Sequence, residues 1–287
     1  MLEPRHGLDD ATLAAIGDLE RRTVAADGGR LKLEWGVLRS RPADQVEDLL
    51  WWDGGRLVGF LGIYAFGAPT AELTGMVDPN FRRRGIATAL LEAALPLCRE
   101  RRYSRVLLVT PRTPPAAAAL AQARGGVLDH SEHALQLDGD PADGPTHPRV
   151  TLRGMDAGDR AAVDALLRAG FGWERPQDEV ADDAEVEHAR SDEASTLVVE
   201  LGGEVIGTLR RSRDQDAVGV YGFVIRPDHQ GRGIGGDVLR RVCRQARADG
   251  ATRVHLEVVV GNDRALGLYT AIGFERVATE DYYALPM

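Results

Sequence analysis

Gln230-Gly231-Arg232-Gly233-Ile234-Gly235-Gly236 is the stretch on which the reading of this 287-residue chain turns. Residues 231–236 fit G-x-G-x-x-G, and Glu257 follows Gly236 by 21 residues, where a dinucleotide fold would place its ribose-binding acid. The surroundings disagree with that fold. A dinucleotide loop leaves the first strand of a parallel sheet directly, whereas Arg226-Pro227-Asp228-His229-Gln230 separates these glycines from the strand before them. That strand, Val218 to Ile225, follows a predicted hairpin, Thr196–Leu201 and Val205–Leu209, whose Gly202-Gly203 suits the positive φ of a tight turn. Further upstream come a short strand, Val150–Arg153, and a helix from Asp156 through Ala169. Downstream, apolar spacing predicts a helix through about Ala248, a strand over Arg253–Val260, a helix capped by Asn262 or Asp263 and ended by Gly273, and closing strands from Phe274 to Leu285. The order β-α, β-β-β-α, β-α-β implies a mixed sheet, antiparallel between hairpin-joined strands and parallel across one helical connection.

The pattern occurs twice. An offset of 148 relates Gly207 to Gly59, Pro227 to Pro79, Gly233-Ile234 to Gly85-Ile86, Arg253-Val254 to Arg105-Val106 and Gly273 to Gly125. A period this long is a duplicated domain, since each copy can bury its own core. The expected domains are 1–139 and 149–287, joined by a linker, 140–148, rich in Pro, Gly and Asp. The fold class is α/β (α+β): two tandem domains, each a mixed central β-sheet flanked by helices. Under the offset, the glycine stretch becomes Arg82-Arg83-Arg84-Gly85-Ile86-Ala87, and what the two copies share is [QR]-x-x-G-x-[GA].

That shared pattern, between a fourth strand and a helix, resembles the acyl-CoA loop of the GNAT superfamily of N-acyltransferases, and the resemblance spans both halves. It implies that Gln230, Gly231, Arg232, Gly233, Ile234 and Gly235 hold the CoA pyrophosphate, with Phe223, Val224 and Ile225 of the preceding strand also at the cofactor. The physics is sound: unpaired N–H donors converge with the positive end of the helix dipole, and glycine permits close approach. A second stretch, Asn262-Asp263-Arg264-Ala265-Leu266-Gly267-Leu268-Tyr269 followed by Gly273-Phe274, resembles the family's N-x-x-A-x-x-L-Y then G-F signature. By that resemblance Asn262 contacts the pantetheine arm and the Tyr269 hydroxyl protonates the departing CoA thiolate. A phenol with an ordinary pKa of about 10 holds that proton at neutral pH. The competing reading is a core tyrosine and a helix cap.

Acyl transfer to an amine also needs a proton acceptor. Many relatives carry a Glu on the fourth strand, but Val218-Gly219-Val220-Tyr221-Gly222-Phe223-Val224 holds no carboxylate. Glu257 is the first candidate, against a solvated or salt-bridged strand residue; His255 and His229 rank below it. Alternation places His255 and Glu257 on one face and Leu256 and Val258 on the other, and leaves open which face meets the cleft. In the first half Asn262 maps to Pro114 and Tyr269 to Ala121, so that domain reads as structural or substrate-shaping, although Glu72 lies on its fourth strand. Arg82-Arg83-Arg84 either grips phosphates or is a solvated turn.

A net charge of −9, from 35 basic and 44 acidic residues, argues against nucleic acid as partner. No apolar run approaches the roughly 20 residues of a membrane span, the N-terminus lacks a secretory pattern, and two cysteines suit a reducing cytoplasm. The segment after the first helix of the second half (Phe171, Trp173, Glu174, Asp178, Glu179, Asp182, Asp183, Glu185, Glu187) either draws a cationic acceptor or is an ordinary acidic surface. The leading expectation is an acetyl-CoA-dependent N-acetyltransferase acting without metal on a primary amine of a small molecule, catalytic in its second domain. The mycothiol synthases are a two-domain variant within the family. The alternatives are a non-enzymatic acyl-CoA-binding or regulatory protein and, last, an NAD enzyme.

Overall fold

A computed structural model describes residues 1–66, 69–171 and 194–287. The acidic segment from Trp173 to Glu187 lies outside the described residues. Two compact units emerge, one of Met1–Glu132 with Val277–Met287, the other of His133–Arg276.

The first unit contains β1 (Leu2–His6), α1 (Asp10–Asp27), α2 (Trp35–Arg39), β2 (Val46–Asp53), β3 (Arg56–Ala65), β4 (Thr70–Val77), α3 (Ile86–Glu100), β5 (Arg105–Pro111) and α4 (Ala116–Ala123). Its sheet order is β1-β2-β3-β4-β5-β12, where β12 (Glu275–Ala284) is the last strand of the chain. β12 runs antiparallel to β5, with Tyr282 opposite Val109, and Tyr283 and Leu285 enter the core of Val106, Leu108, Leu90 and Leu91. The sequence pattern groups this strand with the second half, but from Val277 on it belongs to the first unit, paired with β5.

The second unit takes the end of β6 (Val127–Leu137), from His133 on, together with β7 (Val150–Gly154), α5 (Arg160–Phe171), β8 (Ala194–Leu201), β9 (Glu204–Asp214), β10 (Ala217–Ile225), α6 (Ile234–Ala248), β11 (Arg253–Val259) and α7 (Asp263–Ile272). Its order is β6-β11-β10-β9-β8-β7. β7 through β10 pair antiparallel and β10 pairs parallel with β11, the mixed sheet expected of hairpins followed by a helical crossover. Val238, Leu239, Val242 and Cys243 of α6 pack with Val218, Val220, Val254, Leu256 and Val258 of the sheet. Strand alternation therefore turns Gly219, Tyr221, His255 and Glu257 to the face away from α6. Both cysteines are free and buried, and burial pushes Cys98 up to about 11 and Cys243 up to about 12, so neither offers a thiolate.

Candidate acyl-donor site

Two distortions of β10 shape the site. Parallel pairing with β11 covers only Ala217–Gly219 against Arg253–His255, although both strands continue, so the strands part beyond Gly219 and His255. The antiparallel register with β9 then slips between Tyr221 and Val224, and Gly222 takes φ +56. Such a bulge removes backbone groups from the ladder and leaves them free to bond a ligand. Leu167 packs 3.4 Å from the position a Cβ at residue 222 would occupy, so α5 covers the bulge.

The loop that follows is held from both sides. Gln230 donates through Nε2 to the Ile225 carbonyl at 2.6 Å, and its Oε1 accepts from Arg264 Nη1 at 3.0 Å. Gly231 and Gly233 adopt φ +75 and +79, a left-handed backbone that glycine enters without steric cost. α6 starts at Ile234, and the first N–H groups of a helix have no intrahelical partner. Phe223 and Ile225 lie 3.7 and 3.8 Å from the Cβ position of Gly235, with Leu268 at 3.6 Å. Val224 instead packs against Gly170 of α5. Arg232 stands exposed at the loop's tip.

Asn262 caps α7, its Oδ1 accepting from Ala265 N at 3.1 Å, which leaves its amide donors unused by the cap. Tyr269 is 8% exposed, tilted against Phe274 with ring centroids 6.2 Å apart. Burial pushes its phenol up to about 12, so the hydroxyl keeps its proton across the physiological range. No group among the described residues bonds that hydroxyl.

At the point where the strands part, the Tyr221 hydroxyl and His255 Nε2 stand 3.3 Å apart, with the rings edge to face. Arg210 places its guanidinium 5.6 Å from the Tyr221 ring centroid. A Cβ at residue 219 would collide with the Tyr221 hydroxyl, so the ring folds back only because residue 219 is glycine. Glu257 is half-buried on the same face as His255. His229 is engaged elsewhere, its Nε2 2.8 Å from Arg226 Nη2 and 3.6 Å from Asp228. Sequence reasoning missed the Tyr221–His255 pair; the glycine two residues before a tyrosine was the signal, and its meaning needed the register.

The corresponding region of the first unit is differently engaged. Arg82 reproduces the Gln230 bond, with Nε donating to the Val77 carbonyl at 3.2 Å, but its Nη atoms grip Asp27 at 2.8 and 2.6 Å. Arg84 bonds the Asn80 carbonyl at 3.1 Å. β3 and β4 pair without a bulge from Gly59–Val77 to Ala65–Ala71. Glu72 faces Lys32 at 3.4 Å, and Lys32 donates to the Tyr282 hydroxyl at 2.5 Å. A cleft between β4 and β5 is lined by Arg30, Lys32, Thr74, Val109 and Glu280, and Arg30 pairs with the buried Glu280 at 3.3 Å. Lys32 is the only lysine in the sequence.

The family model described as "Acetyltransferase (GNAT) family" matches residues 20–125 and again 160–274. Mycothiol acetyltransferase of Rhodococcus opacus is 30% identical over 306 aligned residues, covering 96% of each chain. That of Saccharomonospora viridis is 32% identical over 239, covering 77% of this chain and 75% of the relative. Among solved structures, a GCN5-related N-acetyltransferase from Sphaerobacter thermophilus superposes with a TM-score of 0.78 at 19% identity, covering 99% of this chain and 96% of that one. A tandem GNAT protein from the clavulanic acid biosynthesis pathway gives 0.68 at 22% identity, covering 99% and 98%. With its glycine loop, bulged fourth strand and both matched segments, the chain belongs to the GNAT acetyltransferase family.

Proposed function

We propose that this chain transfers an acetyl group from acetyl-CoA to a primary amine of a small molecule by direct attack, with the second unit as the working one. The observation that carries the reading is the line from the Gly231–Gly235 loop at the start of α6, along the bulged end of β10, to the point where β10 and β11 part at Gly219 and His255. In this assignment the loop amides and Gln230 hold the donor's pyrophosphate, Phe223 and Ile225 back the loop, and the groove between the parted strands takes the pantetheine arm. Asn262 offers an amide donor to that arm. Tyr269 supplies the proton that the departing sulfur takes up, and the β11 face carrying Glu257 and His255 supplies the acceptor for the amine's proton. The same dry surroundings that raise the Tyr269 phenol also raise the basicity of a thiolate formed beside it.

The relatives' name supports a narrower assignment, a mycothiol acetyltransferase. Both are tested by thiol release from acetyl-CoA with a panel of polyamines, amino-sugars, amino-acid amides and a cysteinyl amino-sugar. Acceleration by at least one amine supports the general reading, and selective acceleration by the cysteinyl amino-sugar supports the narrower one. Acetyl-CoA binding with no turnover on any amine would favour a binding or regulatory protein instead.

A further inference from the structure

We propose that Tyr221 and His255 together accept the proton that frees the attacking amine, an inference that rests on the acetyltransferase reading above. An alkyl amine with a pKa near that of lysine, about 10.4, is an ammonium at neutral pH and has no lone pair to attack with. The proton must leave close to the donor's acyl end. A donor anchored on the loop and running between the parted strands ends at Gly219 and His255, the last residues on which β10 and β11 pair.

β10 holds no carboxylate anywhere from Ala217 to Ile225. What stands in the volume of a residue-219 side chain is the Tyr221 hydroxyl, brought there by the absence of a Cβ at Gly219. A phenol of pKa about 10 cannot keep an extra proton, but an imidazole of pKa about 6.5 can, and His255 Nε2 is 3.3 Å away. Among the described residues, the charged groups on the face of the pair are Arg210, whose guanidinium lies over the Tyr221 ring, and, by strand alternation, Asp214 on β9 and Arg253 and Glu257 on β11. β6 carries Ala134 and Gln136 toward that face, since its Leu135 and Leu137 enter the opposite core. α5 presents Leu167 over the bulge. Arg210 favours transient negative charge on the phenol oxygen, and Glu257 favours the imidazolium.

The protons balance as follows. The ammonium N–H proton passes to Tyr221 Oη as the Tyr221 proton passes to His255 Nε2. The freed lone pair forms the N–C bond to the thioester carbonyl, and the C–S bond breaks with its electrons on sulfur. Tyr269 protonates the sulfur, and the second amine proton returns to Tyr269 through solvent. His255 then releases its proton, one per turnover.

The test uses the full chain and the panel amine that wild type acetylates fastest, with kcat and the acetyl-CoA KM measured for His255→Gln, Tyr221→Phe and Glu257→Gln. The expected result is a fall in kcat of about 10²–10³-fold for His255→Gln and about tenfold for Tyr221→Phe, with the acetyl-CoA KM within about twofold of wild type. Raising the pH toward the amine's own pKa should recover much of the His255→Gln loss, because solution then removes the proton; a structural defect would not recover. A wild-type rate in His255→Gln, a loss that pH does not restore, or a loss confined to Glu257→Gln would overturn the assignment. Absence of turnover by wild type on every amine would overturn the acetyltransferase reading and, with it, the role of the pair.

Discussion

The loops at 82–87 and 230–235 share a backbone and differ in what surrounds it. Gly85 and Gly233 open their helices at φ +80 and +79, and Arg82 and Gln230 each bond the carbonyl that ends the preceding strand, Val77 and Ile225. In the second unit the rest of Gln230 is held by Arg264, the strand before the loop is bulged, and a capped helix delivers Asn262 and Tyr269. In the first, Asp27 engages the Arg82 fork, β4 is regular, α4 starts at Ala116 with no side-chain cap, and the chain after α1 puts Arg30 and Lys32 into the cleft between β4 and β5. Both copies share the positions that build the turn, a left-handed glycine and a bond to the strand-end carbonyl. The two loops differ in the side chains that surround that turn.

The comparison can be broken most decisively at its glycines. Gly233→Val places a branched side chain at φ +79 over the loop amides and should weaken acetyl-CoA binding at least about 100-fold, roughly 2.8 kcal/mol, whereas Gly85→Val should leave donor affinity within twofold. Calorimetry checks both, with circular dichroism confirming the fold. Next, Tyr269→Phe should lower kcat about 100-fold with little change in the acetyl-CoA KM, since it removes only the proton. Ala121→Tyr, the corresponding change in the first unit, should add no turnover. A smaller effect separates the two loop anchors: Gln230→Ala should weaken acetyl-CoA several-fold. Arg82→Ala should leave turnover unchanged and cost stability of about 1 kcal/mol through the half-buried Asp27 pair, read by urea unfolding.

The smallest expected difference lies in pH dependence, and its sign differs between the units. Burial raises Asp48 of the first unit to about 6, ahead of the opposing effect of Arg41. The folded state then holds a proton that the unfolded state, near 3.9, releases, so this group's contribution to stability shrinks as pH rises from about 4 to 6. Asp159 of the second unit is lowered to about 2 by the hydrogen bond from Arg153, and its contribution is complete above about 4 and lost as pH falls toward 2. Asp48→Asn and Asp159→Asn should each flatten unfolding in its own window, followed by urea midpoints at pH 3, 5 and 7.

Much of this was legible beforehand because local chemistry dictates it. A glycine pair at 202–203 makes the hairpin, and Gly231 and Gly233 make the loop whatever lies around them. Asn262 was readable as a cap and is one. What escaped depends on register and on residues far apart in sequence. Which face of β11 carries His255 and Glu257 followed only once Leu256 and Val258 were seen to enter the core with α6. The Tyr221–His255 pair requires Gly219 to stand opposite His255, which alternation cannot supply. Glu72 looked available as a base, but its partner Lys32 lies 40 residues earlier and no spacing rule joins them. The membership of β12 in the first unit was likewise invisible, since the repeat pattern follows ancestry and not hydrogen bonding.

The claim that one of the two units works as the donor site is tested most directly by calorimetric titration of acetyl-CoA into wild type, Gly233→Val and Gly85→Val. The account predicts one site per chain, lost in Gly233→Val and retained in Gly85→Val. Two sites in wild type, or a single site that survives in Gly233→Val, would contradict it.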